Sequence, residues 1–175
     1  MTALSYLLKL EQRKLVWISI FLLSTSAMTI ALIYQYVFAW EPCVLCVHIR
    51  IIMLGIMLLA FIMIFLSAYQ IPRLLAYFLQ NVLAVYLFLK CRELYHVEVG
   101  LQEAGCMFSA GLPPWFDLEA WMPALFEVRA ACGESPEILF GITMAESLYY
   151  ASALAMFLSF ILTLSSMVNL KTRVA

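Results

Sequence analysis

Glu41-Pro42-Cys43-Val44-Leu45-Cys46-Val47-His48-Ile49-Arg50 is a short polar interruption between two long apolar runs. It holds two cysteines at C-x-x-C spacing, and an arginine follows the second by four residues. Such pairs have shifted thiol acidity and exchange readily. Pro42 favours a turn into a helix, which puts Cys46 near the start of the second apolar run. The partial positive charge of a helix N-terminus favours a thiolate there. If that helix begins near Cys46, Cys46 and Arg50 stand at i and i+4 on one face. A guanidinium keeps its proton at ordinary pH, so Arg50 can hold a thiolate at Cys46 or receive an anionic cofactor oxygen. Arginines at span ends also commonly snorkel toward headgroups; the neighbouring thiol gives the redox reading its weight.

The runs on either side set the fold. The chain has 175 residues, 66% hydrophobic and 12% charged, too little polar surface for a soluble fold of this size. Four stretches carry no charge: Leu15 to Phe38, Ile51 to Tyr69, Leu74 to Leu89 and Ser147 to Val168. A bilayer crossing needs about 20 apolar residues; the third stretch is shorter but extendable at both ends. Pro72 is expected to end the second helix, and Arg73 to mark an aqueous boundary. Nothing alternates like a barrel strand, and lipid forbids unpaired backbone. The expectation is an all-α integral membrane protein, a four-transmembrane-helix bundle forming one domain over 1–175, with loops at about 39–50 and 90–146. The first apolar run is too long for a signal peptide and lacks a small-residue cleavage site, so it is expected to stay in the membrane.

Charge placement orients the spans. Lys9, Arg13, Lys14, Arg73, Lys171 and Arg173 fall on one side, opposed there only by Glu11. Arg50, Lys90, Arg92 and Arg129 fall on the other, among the remaining carboxylates. The positive side is expected to be cytoplasmic, with both termini inside and both loops outside. In a bacterium the loops then face the periplasm, where disulfides persist. Cys43 and Cys46 lie in the first loop, Cys106 and Cys132 in the second. Within the second loop, Trp115, Leu118, Trp121, Met122 and Leu125 have helix-compatible spacing, broken by Pro123. They suggest a short helix on the outer leaflet, the alternative being an apolar loop packed on the spans.

Other functions fit less well. No basic patch suggests nucleic acid. A zinc site needs two more ligands beside the C-x-x-C, and Cys106 and Cys132 form no second such pair. Two histidines, His48 and His96, cannot supply the four axial ligands of a two-haem quinol-linked cytochrome. Each can tune a proton transfer near the outer boundary, although a lone interfacial histidine is more often structural. Cys91 reads as a buried apolar side chain. Alone, Cys106 and Cys132 read as a structural disulfide closing a loop. Beside a second pair, they can also exchange through a mixed disulfide.

Taken together, these residues resemble the DsbB family, bacterial inner-membrane proteins that reoxidise the periplasmic dithiol oxidase DsbA and pass electrons to quinone. The likeness rests on four spans, on Pro42-Cys43-Val44-Leu45-Cys46 with Arg50, on the Cys106/Cys132 pair, and on Leu118-Glu119-Ala120-Trp121-Met122-Pro123. It implies that Cys106 forms the mixed disulfide with a DsbA-type partner and that released Cys132 attacks Cys43. Cys46 then engages the quinone, ubiquinone or menaquinone, with Arg50 assisting. His48 stands where better-known relatives carry an aromatic residue and Ile49 where they carry an acid, while His96 only roughly matches a family histidine near the quinone. Two other readings compete. Vitamin K epoxide reductase-like proteins place the loop pair before the C-x-x-C, the reverse of the order here. A non-enzymatic four-span scaffold accounts for Cys106 and Cys132 but not for a C-x-x-C beside Arg50.

Overall fold

The computed structural model describes residues 14–67, 69–102, 111, 117–133, 135–139 and 141–174. Its elements in chain order are α1 (Lys14–Tyr36), α2 (Val44–Leu66), α3 (Gln70–Glu98), α4 (Leu118–Trp121), α5 (Pro123–Phe126), β1 (Glu137–Leu139), β2 (Ile142–Thr143) and α6 (Met144–Val174). The long helices α1, α2, α3 and α6 are each long and apolar enough to cross a membrane. They form the expected all-α bundle, in which α1 packs on α2, α2 on α3, and α3 on α6.

The helix limits depart from the uncharged stretches, with α3 and α6 running past theirs at both ends and α2 at its start. Counting apolar residues finds the part of a helix that suits hydrocarbon, whereas the helix itself ends where its backbone is capped. So α2 starts at Val44, before Arg50, and α3 continues through Lys90, Arg92 and Glu93 to Glu98. A Lys90–Glu93 ion pair of 2.7 Å braces that last part. Pro72 does not end the second helix. That helix stops at Leu66 with Ser67 as its C-cap, and Pro72 is the third residue of α3. A proline fits there because the first-turn N–H groups lack intrahelical partners in any case.

Exposed side chains on the bundle are largely apolar, Leu23, Phe65, Phe78 and Phe157 among them, as expected for a surface solvated by lipid tails. Hydroxyls on α1 do not stay unpaired in that setting. Ser19, Ser24, Thr25, Ser26 and Thr29 each donate to the carbonyl four residues earlier. Inside, one end of the bundle is packed around Trp17, Ala60, Met63, Ala76 and Tyr77. The other end is packed around Ile49, Ile52, Ile56, Leu87, Cys91 and Leu94, and this second cluster includes Cys43.

The second loop lies against that second end. Its helical stretch is two single turns, α4 and α5, interrupted at Met122, whose backbone is non-helical ahead of Pro123, since a following proline disfavours the helical conformation. Leu118, Phe126 and Val128 are buried and pack with Val47 of α2, while Trp121 is 63% exposed. The segment is thus anchored on the bundle and presents its tryptophan outward. Beyond it, β1 and β2 form an antiparallel hairpin with Leu139 opposite Ile142. Thr143 then caps α6 by accepting the Glu146 N–H and donates to Glu98 on α3.

At the first end, Trp17 is fully buried and stacks on Tyr77 with ring centroids 4.9 Å apart, joining α1 to α3. Trp17→Ala is expected to cost about 3 kcal/mol through the cavity it leaves. It should lower the thermal unfolding midpoint in detergent by several degrees, with Trp121→Ala close to wild type. Equal midpoints for Trp17→Ala and wild type would show that the stack carries no stability.

Candidate active site

The site begins at the first turn of α2. Cys43 is the N-cap, with extended backbone, and its sulfur accepts the Cys46 N–H at 3.4 Å. This is the place where a serine or aspartate oxygen would accept the same donor. Pro42 has no N–H to offer, but its carbonyl accepts from Arg129 (3.1 Å) and Ala130 (3.3 Å). Cys43 and Ala130 thereby form a parallel bridge. That pairing brings Cys132, two residues further on, to the start of α2.

Three sulfurs meet there. Cys43 Sγ lies 2.8 Å from Cys46 Sγ and is also in hydrogen-bonding contact with Cys132. The described cysteines Cys43, Cys46, Cys91 and Cys132 are all free thiols. Cys132 is held down to about 6, first by the hydrogen bond from Cys43 and then by the backbone N–H groups of Leu45 and Val44. Cys43 is pushed up, chiefly because its proton is shared with Cys132 and then with Cys46. Sharing that proton favours the thiol form at Cys43 and the thiolate form at Cys132, which lies at the positive end of α2.

Arg50 follows one turn later. It is only 6% exposed, so it does not snorkel to the surface. Its Nη1 donates to Gln35 Oε1 at 2.6 Å and to the Leu125 carbonyl at 2.9 Å. Gln35 Nε2 donates to the Ala124 carbonyl at 3.1 Å, and the Tyr36 hydroxyl donates to the same carbonyl. Helices α1 and α2 and the single turn α5 are therefore tied at one point beside the dithiol.

A partly open pocket of about 740 Å³ adjoins this point and is lined by Cys43, Cys46 and Arg50. All four long helices contribute to its wall: Ala27 and Ala31 from α1, Met53 from α2, Leu94 from α3 and Leu148 from α6. Apolar walls with a few convergent polar groups are the usual make-up of a small-molecule site. The polar groups set among those walls include one guanidinium and two thiols.

Other residues singled out in the sequence are placed differently. His48 and His96 are half-buried, and neither is among the residues lining the pocket. His96 sits in the last turn of α3, ringed against Tyr95. Cys91 is fully buried among apolar side chains and bonds to Ser152. Cys106 and Trp115 lie outside the described residues. Gln35, Tyr36 and the carbonyls of Ala124 and Leu125 were not anticipated. The only sequence signal was an amide, Gln35, in an otherwise apolar run.

The sequence matches the family model described as disulfide bond formation protein DsbB over residues 13–162. Curated relatives named disulfide bond formation protein B agree. That of Shewanella denitrificans is 27% identical over 144 residues, covering 82% of each chain. That of Psychromonas ingrahamii is 31% identical over 156 residues, covering 86% of this chain and 83% of its own. That of Haemophilus influenzae strain 86-028NP is 29% identical over 150 residues, covering 82% and 81%.

The thiol assignment has a direct test. In the reduced full chain carrying Cys106→Ser, alkylation of Cys132 by iodoacetamide should follow thiolate content. It should be full at neutral pH and fall away as pH drops through about 6. A midpoint in the ordinary thiol range, about 8.5, would mean that neither Cys43 nor the α2 N-terminus stabilises Cys132.

Proposed function

Because this chain belongs to the DsbB family of membrane disulfide bond formation proteins, we propose that it is a quinone-dependent protein-disulfide oxidoreductase that reoxidises a periplasmic DsbA-type dithiol oxidase. The carrying observation is the contact of Cys43 with both Cys46 and Cys132 beside the Arg50 pocket. A disulfide-closing scaffold needs no third sulfur at its helix cap and no buried guanidinium next to it.

The chemistry is a series of thiolate attacks. A partner thiolate attacks Cys106 of a Cys106–Cys132 disulfide, forming the mixed disulfide and releasing Cys132 as a thiolate. The partner's second thiolate then attacks its own sulfur in that mixed disulfide and leaves oxidised, with Cys106 reduced. Cys132 attacks Cys43 of the Cys43–Cys46 disulfide, so that Cys43–Cys132 forms and Cys46 leaves as a thiolate. Two features favour this direction: Cys132 already lies against Cys43 and is held toward its thiolate form, and the departing Cys46 sulfur lines the same pocket as the Arg50 cation. Electrons thus reach the sulfur that lines the pocket, and Cys106 then attacks Cys132, re-forming Cys106–Cys132 and releasing Cys43, so that Cys43 and Cys46 together give two electrons to the acceptor and close again as a disulfide.

Quinone, when bound, accepts two electrons and two protons, and it is a stronger sink than another protein disulfide. Cys46 and Arg50 are the residues to hold it, with Ala27 and Ala31 leaving room for a ring between the helices. His48 and His96, candidates for tuning a proton transfer at the quinone, are proposed only as outer modulators, since other residues form the wall. The chain is proposed to lie in a bacterial inner membrane with both termini cytoplasmic and the cysteines periplasmic, as its Lys and Arg distribution favours.

Quinone reduction in membranes supplied with a reduced DsbA-type protein tests this. Wild type should turn over, and Cys46→Ser and Cys106→Ser should lose turnover by at least about a hundredfold, the scale for removing a reacting group. Equal rates in all three would sink the relay. Arg50→Ala should raise the quinone KM and lower kcat/KM by about tenfold or more; an unchanged KM would remove Arg50 from the quinone site.

A further inference from the structure

We propose that Gln35 is a positioning residue shared by both halves of this site, fixing Arg50 in the pocket and holding the Cys132 limb against Cys43. The inference rests on the relay proposed above and adds to it a residue on α1 that touches neither sulfur. Its side chain uses both ends. Oε1 accepts from Arg50 Nη1 at 2.6 Å, and Nε2 donates to the Ala124 carbonyl at 3.1 Å. An amide offers an acceptor and a donor on one rigid plane, which neither a carboxylate nor a hydroxyl reproduces at that length.

The two bonds do different work. The first decides where a buried cation sits. Arg50 has a long, flexible stem, and its head is fixed only by Gln35 and by the Leu125 carbonyl among the bonds described. The second bond holds α5 against α1. From α5 the chain runs through Phe126 and Val128, both buried against α2, to Ala130, whose N–H pairs with Pro42. Cys132 lies two residues further on. Gln35 therefore ties the approach of Cys132 to the same point that aims the guanidinium.

Substitutions separate the two roles. Gln35→Glu keeps an acceptor for Arg50 and loses the donor to Ala124, whereas Gln35→Ala loses both. Gln35→Asn keeps both groups on a shorter arm. One readout needs no quinone: bridging of Cys43 to Cys132 by oxidised glutathione in the full chain carrying Cys46→Ser and Cys106→Ser. There two thiols are oxidised to one disulfide as glutathione disulfide is reduced to two glutathiones. The other readout is the KM for a soluble short-chain quinone in the otherwise unmodified protein.

Gln35→Ala should slow bridging and raise KM, each by about tenfold, the scale for losing a buried hydrogen bond to a charged or carbonyl partner. Gln35→Glu should slow bridging similarly while leaving KM within about threefold of wild type. Gln35→Asn should fall between wild type and Gln35→Ala in both. Wild-type bridging and wild-type KM in Gln35→Ala would overturn the proposal, as would Gln35→Glu and Gln35→Ala moving both readouts equally. If the parent protein reduces no quinone, the relay fails, and the bridging rates alone still decide whether Gln35 holds Cys132 in place. If Gln35→Ala does not assemble, the Gln35→Glu comparison carries the same decision.

Discussion

A guanidinium buried at the end of an apolar bundle is the constraint on which this site depends. Arg50 cannot neutralise itself, and an unpaired charge in such surroundings is strongly disfavoured. Its acceptors come from outside its own helix: an amide on α1 and a backbone carbonyl in the second loop. The cation is tolerated only where those three segments converge, so the same requirement that satisfies Arg50 also docks the loop. Apolar packing of Leu118, Phe126 and Val128 on α2 supplies area, but area alone leaves the loop free to slide. The carbonyl bonds fix where along α2 it stops, and hence that Cys132 reaches Cys43 rather than some other part of the helix.

Two sources of positive potential act on the sulfurs, and they lie on different sides of the first turn of α2. The backbone N–H groups of Leu45 and Val44 face Cys132, which belongs to the loop. The guanidinium lines the pocket beside Cys46, within the bundle. Cys43 lies between them with its proton shared. In the relay proposed above, a thiolate would therefore be supported on the loop side before exchange and would appear beside the pocket guanidinium after it. Exchange is favoured when the attacking sulfur is ionised and the leaving sulfur can carry charge, and here each condition has its own structural cause.

The sequence made the large features readable and the joints unreadable. Four spans follow from runs of apolar residues whose length has only one use in lipid, and the C-x-x-C beside Arg50 declares itself by spacing. Helix limits were less legible because they are set by caps. Arg50 looked like a span boundary, yet it is buried one turn and more inside α2; its neutralising partners are distant in the chain and leave no local pattern. Pro72 looked like a stop and is instead a first-turn residue, since proline is compatible with both places. Gln35 could not be singled out, because a lone amide in a span gives no hint of which carbonyl it will meet. The assembly of Cys43 with Cys132 depends on a backbone bridge between Pro42 and Ala130, a contact that no side-chain pattern encodes.

The C-x-x-C spacing has a physical meaning that the motif alone does not convey. Residues i and i+3 at a helix start are the N-cap and the third helical residue, the same spacing that lets a capping side chain accept the N3 N–H. With Cys43 as the cap, its sulfur is drawn inward over the first turn by the Cys46 N–H, while the Cys46 side chain projects from the helix toward Arg50 and the pocket. Any other spacing would separate the sulfurs or point both the same way. Pro42 completes the arrangement: having no N–H to satisfy, it presents only a carbonyl, and that carbonyl receives the strand carrying Cys132. One turn of helix therefore gathers three sulfurs, with Cys132 reaching Cys43 from the loop and Cys46 lining the pocket beside Arg50.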